Sequence, residues 1–289
     1  MSSLERARPD RVARGAQRRW LAYRHRWAAP WSPLPAPVEG AVLCNICRWT
    51  GDRFEGVTHV ESATCPACGA IARDRFLHLA MAWERKPRKG ERILETSPRM
   101  GERYREHMTR YFDYVSSDYD LSAHKGAIRL DLQAIDLPDA SVDVILTPHV
   151  LEHVPDTDAA LRELRRITAP GGRLCLQVPV LQGTTAPPVE PEFHGDNTPV
   201  FWRFSYDLTP RLEAQGWRVR TLVPQPWIDA VAAGAWTDPD PVDPTFDVPE
   251  LLEAARTVEL TAAAPEPVTR WFGLEPGYQL LTWVCDAPS

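Results

Sequence analysis

The chain has 289 residues, enough for about two domains, and its 44% hydrophobic and 25% charged residues exclude a wholly disordered protein. No apolar run approaches the ~18 residues of a membrane-spanning helix, so an integral membrane protein is excluded. The net charge of −6 argues against a chain that binds nucleic acid over its whole surface. Proline occurs 28 times, about double the usual ~5%, and predicts long, shaped loops.

The first predicted region is a basic N-terminal arm, residues 1–40. Residues 1–26 hold eight arginines against two acids, a local net charge of +6. Apolar side chains recur there at helical spacing, at Val12, Ala16, Trp20, Tyr23 and Trp27. The helix could pack this stripe on the body of the protein or bind RNA, phosphate or a partner. Because the arm lacks the apolar core of a secretory signal, we expect a cytoplasmic protein.

The second predicted region, residues 41–88, is a small metal-binding module. Two Cys-x2-Cys pairs, Cys44 with Cys47 and Cys65 with Cys68, are separated by 17 residues. This spacing is typical of a zinc ribbon, in which four thiolates surround Zn²⁺ and leave no open position, so the zinc would be structural. Disulfides are disfavoured without an export signal, and a redox site does not need two matched pairs. The other two cysteines, Cys175 and Cys285, lie in apolar runs and are predicted core residues.

The third predicted region, residues 89–289, alternates strands with helices and therefore predicts an α/β fold with a doubly wound, mostly parallel, seven-stranded Rossmann-like sheet. The predicted strands are residues 92–95, 114–117, 127–130, 142–147, 173–178, 217–223 and 278–285. The predicted helices are residues 103–111, 156–167 and 208–214. A proline-rich acidic excursion at 236–268, with one short helix near 249–258, interrupts the pattern.

Four stretches of this region carry a family resemblance: RILETSPRMG, YVSSDYD, IRLDLQAIDLP and VDVILTPHVLEHVPDTDAALRELRRITAPGGRLCLQVP. Together they resemble the class I S-adenosylmethionine (SAM)-dependent methyltransferases, most specifically in residues 141–179. The resemblance covers about residues 90–223 and the last strand. The Cys-x2-Cys module in front is similar to a bacterial subgroup that carries an N-terminal zinc ribbon. The resemblance implies SAM as cofactor and methyl transfer as the reaction.

The resemblance also implies the cofactor-binding residues. The loop after the first strand would hold the methionine end of SAM, Asp118 the ribose, and the segment after the third strand the adenine. The predicted contacts are Glu95, Ser97, Gly101, Asp118, Tyr119, Asp131, Leu132 and Pro148. Each acid could instead be a helix cap or a turn residue.

The first loop departs from the family pattern D-x-G-x-G-x-G, because only its last glycine, Gly101, is present. Pro98 and Arg99 remove the backbone freedom that glycines supply, although Arg99 could pair with a carboxylate. This departure puts the pose of SAM in question.

Two histidines are the candidate catalytic residues. His149 directly follows the fourth strand, at the sheet edge where this fold binds its ligand, and His194 lies on a mixed acidic and aromatic loop. If His149 acts as a general base, the activity should decrease as the pH drops below about 6.5. The motif His149-x-x-Glu152-His153 also matches an inverted zinc-peptidase signature, but Pro148 and Pro155 limit its helix to about one turn. Glu152 and His153 are therefore predicted packing or hydrogen-bonding residues.

Three functional hypotheses remain open from the sequence. The leading one is methyl transfer to a small-molecule or sugar-like acceptor. The second is an RNA methyltransferase that grips nucleic acid with the ribbon and the basic arm, against which the overall acidity argues. The third is a methyltransferase fold used for another reaction, such as a cyclisation, or for a non-catalytic partner role. The sequence predicts neither a membrane partner nor an oligomeric state.

Overall fold

The computed structural model describes residues 27–56, 63–121, 126–194, 197–235, 247–274 and 280–289. The predicted basic helix within residues 1–26 lies outside these ranges, as do residues 236–246 of the predicted acidic excursion. Within the described ranges, no helix is long and apolar enough to cross a membrane.

In the part of the chain that the structure describes, the strands form one large sheet and two small hairpins. In chain order they are β1 (Val42–Leu43), β2 (Thr50–Gly51), β3 (Arg92–Thr96), β4 (Asp113–Asp118), β5 (Ile128–Arg129), β6 (Val142–Pro148), β7 (Thr168–Gln177), β8 (Glu192–Phe193), β9 (Pro199–Val200), β10 (Arg218–Val223), β11 (Leu260–Ala262) and β12 (Thr282–Asp286). The helices are α1 (Ala72–Met81), α2 (Glu102–Tyr111), α3 (Thr157–Ile167), α4 (Leu208–Ala214), α5 (Gln225–Ala233), α6 (Val248–Ala255) and α7 (Glu266–Trp271), with a single 3-10 turn at Leu151–His153.

The large sheet has the order β11-β10-β12-β7-β6-β3-β4-β5. Only β12 runs antiparallel to its neighbours, β10 and β7, so the predicted doubly wound, mostly parallel sheet is confirmed. The chain leaves β3 towards β4 and β5 and then returns on its other side with β6 and β7. This reversal creates a crevice at the carboxyl ends of β3 and β6, where such folds bind their ligands.

The sheet has an eighth strand in the described residues, where the sequence predicted seven. β11 lies inside the predicted acidic excursion and pairs in parallel with β10. It spans only three residues, all half-buried, in a stretch rich in alanine and proline. A strand this short shows no alternating pattern, which is why the sequence did not reveal it.

The sheet separates two hydrophobic cores. On β6, Ile145 belongs to one core and Val144 and Leu146 to the other, because successive strand residues point to opposite faces. The predicted core residues Cys175 and Cys285 are both buried and free, and they belong to opposite cores.

The metal-binding module shares the second core with the sheet. The four paired cysteines and α1 contribute to the same cluster of buried side chains as β3, β6 and β12. Helix α1 packs directly on β6, β7 and β12. The predicted boundary between residues 88 and 89 therefore separates two stretches that fold around a common core.

Candidate metal centre and active-site cleft

The four paired cysteines bring their sulfur atoms together. The Sγ atoms of Cys44 and Cys68 lie 3.7 Å apart, as do those of Cys47 and Cys65, and all four lie within 4.8 Å of one another. Zinc–sulfur bonds of about 2.3 Å in a tetrahedron place neighbouring sulfurs about 3.8 Å apart. The residues present therefore fit a four-coordinate zinc ion. Within the described ranges, no other three or more His, Cys, Asp or Glu side chains cluster this closely.

Each cysteine pair sits on a tight backbone turn, and we call these two turns the knuckles. The amide of Arg48 donates to the carbonyl of Cys44 at 2.8 Å, and the amide of Gly69 donates to that of Cys65 at 2.9 Å. Arg48 and Gly69 both have positive φ, at 66° and 79°. Glycine adopts this conformation freely, so Gly69 suits its turn, whereas Arg48 is held there by its own side chain, which donates to the carbonyl of Ser32 at 2.9 Å.

A buried arginine on α1 supports the knuckles. Arg75 is 0% exposed, and its guanidinium donates to the carbonyls of Ala63 at 2.9 Å and Ala70 at 2.8 Å, which flank the second knuckle. It also donates to the carbonyl of Phe272 at 2.8 Å. Hydrogen bonds to several carbonyls compensate the desolvation of a buried cation. The sequence offered no signal for this role, because the partner carbonyls come from distant parts of the chain.

One cleft of about 1040 Å³ lies at the carboxyl ends of the central strands. All ten residues predicted to bind the cofactor or to act in catalysis line it, namely Glu95, Ser97, Gly101, Asp118, Tyr119, Asp131, Leu132, Pro148, His149 and His194. We call the side at β3, β4 and β5 the cofactor half, and the side at His149, His153 and His194 the acceptor half. The first turn of α1 also lines the cleft, which the sequence did not predict.

Glu95 anchors a buried hydrogen-bond network under the cofactor half. Its Oε2 accepts hydrogen bonds from the hydroxyls of Tyr104 and Tyr114, both at 2.8 Å. Because the Tyr104 proton is committed to Glu95, the His78 Nε2 at 2.9 Å must donate to the Tyr104 oxygen. Burial raises the pKa of Glu95 to about 7 despite both tyrosine donors. This carboxyl is therefore poised between its neutral and ionised forms near neutral pH.

Asp118 is held in place at the end of β4. Its Oδ2 accepts from the hydroxyl of Ser97 at 3.0 Å, and its Oδ1 accepts from the amide of Asp120 at 3.2 Å. Ser97 has a φ of 45°, a conformation that costs a non-glycine residue free energy. The first loop thus places a strained serine where the family pattern has flexible glycine.

The rest of the cofactor half is formed by α2 and the segment after β5. A Cβ added at Gly101, just before α2, would meet no atom within 4 Å, so this position faces open space. Asp131 Oδ1 accepts from the amide of Gln133 at 2.9 Å, so this acid stabilises a turn. A role as a turn residue was one of the alternatives that the sequence left open for it. Leu132 is buried, whereas Tyr119 is 60% exposed at the cleft mouth.

His149 lies at the junction of the two halves in a constrained state. Its φ is 52°, its amide donates to the carbonyl of Gln177 at 2.8 Å, and its Nδ1 lies 3.0 Å from the Arg73 guanidinium. A guanidinium only donates, so Nδ1 accepts and a neutral ring carries its proton on Nε2. Burial, the Arg73 charge and neighbouring histidines hold the pKa of His149 well below its usual 6.5. This geometry fits a hydrogen-bond donor better than the general base expected from the sequence.

The remaining polar groups of the acceptor half surround Glu152. This carboxylate is 1% exposed, and its Oε1 lies 3.8 Å from both His149 Nδ1 and His153 Nε2. The His153 Nδ1 lies 2.6 Å from the carbonyl of Pro199, and its ring meets that of His194 edge-on at 4.6 Å. The inverted peptidase motif falls on the 3-10 turn Leu151–His153, too short for that site. Glu152 is thus a buried packing residue whose backbone carbonyl accepts from the amide of Phe201 at 2.8 Å, and His153 is a hydrogen-bonding residue.

His194 comes from a small hairpin above the cleft. Strands β8 and β9 flank it, and its amide donates to the carbonyl of Thr198 at 2.9 Å. Aromatic side chains near His194 could anchor this loop in the core. Phe193 and Phe201 are 55% and 38% exposed, so they do not, whereas the Trp202 indole donates to the carbonyl of Pro155 at 3.0 Å.

Residues 94–176 match a family model described as a methyltransferase domain. A ubiquinone/menaquinone biosynthesis C-methyltransferase of Caulobacter sp. strain K31 is 50% identical over 48 residues, which are 16% of this chain and 19% of that protein. An uncharacterised 37.1 kDa protein in transposon TN4556 of Streptomyces fradiae is 45% identical over 49 residues, 17% of this chain and 14% of that protein. The chain thus matches less than a fifth of the length of either relative.

Two solved structures give the scale of the structural likeness. The YcgJ protein of Bacillus subtilis is 14% identical, with a TM-score of 0.41 over 75% of this chain and 99% of that one. Phosphoethanolamine N-methyltransferase 2 of Haemonchus contortus, solved with S-adenosyl-L-methionine, is 11% identical, with a TM-score of 0.43 over 78% of this chain and 54% of that one.

Proposed function

We propose that this chain is a class I SAM-dependent methyltransferase and that it transfers the methyl group to a small-molecule acceptor in the acceptor half of its cleft. The observation that supports this proposal most directly is that the acids near the ends of β3 and β4 and His149, directly after β6, line the same cleft. Its volume of about 1040 Å³ is at the upper end of the ~300–1,000 Å³ usual for a ligand pocket, which allows two ligands side by side.

In the cofactor half, Asp118 is the proposed ribose ligand. Its two oxygens already accept hydrogen bonds from the Ser97 hydroxyl and the Asp120 amide, so the carboxylate is oriented before any ligand binds. Preorganisation of this kind lowers the free-energy cost of binding. Glu95, Gly101 and the start of α2 would surround the methionine end, and Leu132, Asp131 and Tyr119 the adenine, with Pro148 at the junction with the acceptor half.

The bound cofactor supplies an electrophilic methyl on a sulfonium, so the protein has mainly to align the acceptor and handle one proton. His149 is neutral and presents an Nε2 hydrogen, so its proposed role is to donate a hydrogen bond that orients the acceptor. His194 lines the acceptor half from the β8–β9 hairpin and remains the candidate to take up a proton.

A small acceptor is favoured over RNA because the acceptor half is a recess rather than a basic face. His149 and Glu152 are largely buried, and the apolar Phe201 and Pro199 line the entrance. Recognition of nucleic acid needs an accessible basic track with salt-dependent binding. We also propose that the four cysteines hold one structural zinc ion, whose fit rests on their sulfur spacing.

The test is ligand binding by the purified full-length protein. Native mass spectrometry should find one zinc per chain, and calorimetry should find one site for S-adenosylhomocysteine (SAH). A salt titration with a short RNA supplies the second measurement, which we expect to show no steep dependence. Absence of SAH binding by a folded, zinc-loaded protein would overturn the proposed function.

A further inference from the structure

We infer that three consecutive charged residues of α1, Arg73, Asp74 and Arg75, couple the metal centre to both halves of the cleft. This inference rests on the proposed function for the identity of the cofactor but not for the coupling itself. Successive helix residues point in directions about 100° apart, so three neighbours reach three different partners. We call residues 73–75 the coupling turn.

The coupling turn is attached to the metal centre at its last residue. Arg75 donates to the carbonyls of Ala63 and Ala70 on either side of the second knuckle, at 2.9 and 2.8 Å. It is fully buried, so these hydrogen bonds cannot be exchanged for water without a large cost. The position of α1 therefore depends on the folded state of the knuckle, which in turn depends on the metal.

The middle residue of the turn reaches the cofactor half. Asp74 forms an ion pair with Arg99, and Arg99 also donates to the carbonyl of Gly69 at 2.9 Å. Gly69 directly follows Cys68, so Arg99 bridges the second knuckle and α1. Asp74 is 8% exposed, and its Oδ2 additionally accepts from the amide of Ile71 at 2.9 Å, which fixes the carboxylate.

This bridge explains how the first loop is held without the glycines of the family pattern. Arg99 lies in the middle of the loop, between Pro98 and the buried Met100, whose carbonyl accepts from Arg105 at 3.1 Å. A glycine-rich loop positions its backbone by unusual dihedral angles. Here the side chain of Arg99 holds the loop, because it bonds to Asp74 and to the carbonyl of Gly69 in the metal-binding module.

The first residue of the turn reaches the acceptor half. The Arg73 guanidinium lies 3.0 Å from the Nδ1 of His149 and fixes which ring nitrogen carries the proton. The side-chain amide of Gln177 donates to the carbonyl of Arg73 at 3.2 Å, and the backbone carbonyl of Gln177 accepts from the His149 amide. Displacement of the coupling turn would therefore disturb both the cofactor loop and His149.

The test measures SAH affinity and zinc content of the zinc-loaded full-length protein. Asp74→Asn keeps a side-chain oxygen for the Ile71 amide but removes the charge that holds Arg99. We expect about a five- to thirtyfold rise in the SAH dissociation constant with one zinc still bound per chain. Asp139→Asn is the matched control, because it breaks another aspartate–arginine pair on the surface, with Arg166, and should leave SAH affinity unchanged.

Two further readouts separate coupling from a general loss of stability. Affinity coupling is reciprocal, so SAH should raise the zinc affinity, measured at equilibrium by competition with a colorimetric chelator, in the wild type and much less in Asp74→Asn. The double variant Asp74→Asn/Arg99→Met should bind SAH no more weakly than the weaker of its two single variants, because both remove the same bridge. Equal SAH affinity in Asp74→Asn and the wild type would overturn the inference.

Hydrogen exchange keeps the outcome distinct from that of the proposed function. Without any ligand, the amides of Ser97 and of residues 99–101 should exchange faster in Asp74→Asn than in the wild type or in Asp139→Asn. If the wild type fails to bind SAH but this difference is found, the proposed cofactor is wrong and the coupling stands. Unchanged exchange in the loop refutes the coupling whatever ligand the cleft takes.

Discussion

The two halves of the cleft are built in different ways. In the cofactor half, Glu95 is the penultimate residue of β3 and Asp118 the last residue of the neighbouring parallel strand β4. Asp131 lies two residues beyond a third strand, so the sheet itself sets the spacing of the three acids. In the acceptor half, His149 follows β6, His194 comes from the β8–β9 hairpin and Arg73 comes from α1. The first half is a product of the fold, and the second is assembled from loops and a preceding module.

The two halves also differ in charge. The cofactor half carries carboxyl groups, one of which has its pKa raised to about 7, and the acceptor half carries histidines, among which His149 is held neutral. Opposite pKa perturbations on two sides of one cleft are typical of a functional site. The difference indicates that each half can be changed without the other, except through the elements they share.

The metal centre is such a shared element, and its loss should have the largest effect. Cys65→Ser removes one of four zinc ligands and should release the metal and destabilise both halves, because structural zinc contributes of the order of 10 kcal/mol to folding. Metal analysis together with thermal unfolding measures both effects. Cys175→Ser is the control, since Cys175 is buried outside the metal cluster. Full zinc occupancy in Cys65→Ser would contradict the assignment.

His149→Ala should affect only the acceptor half. Loss of the donor should lower turnover with the acceptor by about 10²-fold, the lower end for a positioned proton-handling group, while SAH affinity stays within twofold. Because the pKa of His149 lies well below 6.5, wild-type turnover should not decline around pH 6.5 on its account. The general-base interpretation predicts that decline and also its loss in His149→Ala, so the turnover profiles of the wild type and of this variant, compared from pH 5 to 8, discriminate between the two roles.

Asp118→Ala should affect only the cofactor half. Loss of a charge-assisted hydrogen bond should weaken SAH binding by about 1.5–3 kcal/mol, as measured by calorimetry. Ser97→Ala removes only the hydroxyl that orients Asp118 and should cost less. If Asp118→Ala binds SAH as the wild type does, either the ligand lies elsewhere or it is not SAH.

Glu95→Gln should change how the stability of the protein depends on pH. A carboxyl whose pKa rises from 4.5 to about 7 on folding stabilises the protein below pH 4.5 relative to high pH, and that contribution is lost as the pH rises through 7. The loss is at most about 3 kcal/mol. The variant lacks this ionisation, so its melting temperature should fall less between pH 5 and pH 8 than that of the wild type. Parallel curves would contradict the raised pKa.

The cofactor half could be predicted from the sequence because its pattern is local. An apolar run followed by an acid marks a strand end, and successive ends of parallel strands meet at one edge. The cysteine spacing similarly predicted the metal cluster, since each Cys-x2-Cys pair forms a turn by itself. The strands that the sequence did not predict, or predicted with the wrong length, such as β11, have too few residues to show an alternating hydrophobic pattern.

The acceptor half could not be predicted in the same way. Arg73 and Asp74 follow the second knuckle in sequence, so they read as part of the ribbon, and nothing local shows that α1 packs on the sheet beside the cleft. The protonation state of His149 depends on Arg73, 76 residues away in the chain. Long-range contacts of this kind carry no periodic signal, and they decide the chemistry of the site.

The position of β12 has a consequence for how the chain acquires its structure during synthesis. This strand, formed by residues 282–286, is inserted between β7 and β10, and its Asp286 pairs with the buried Arg173 at 2.8 Å. The sheet therefore stays divided between β7 and β10 until these residues have left the ribosome. Exposed strand edges can pair with other chains. A nascent chain should accordingly expose the edges of β7 and β10 until β12 is in place.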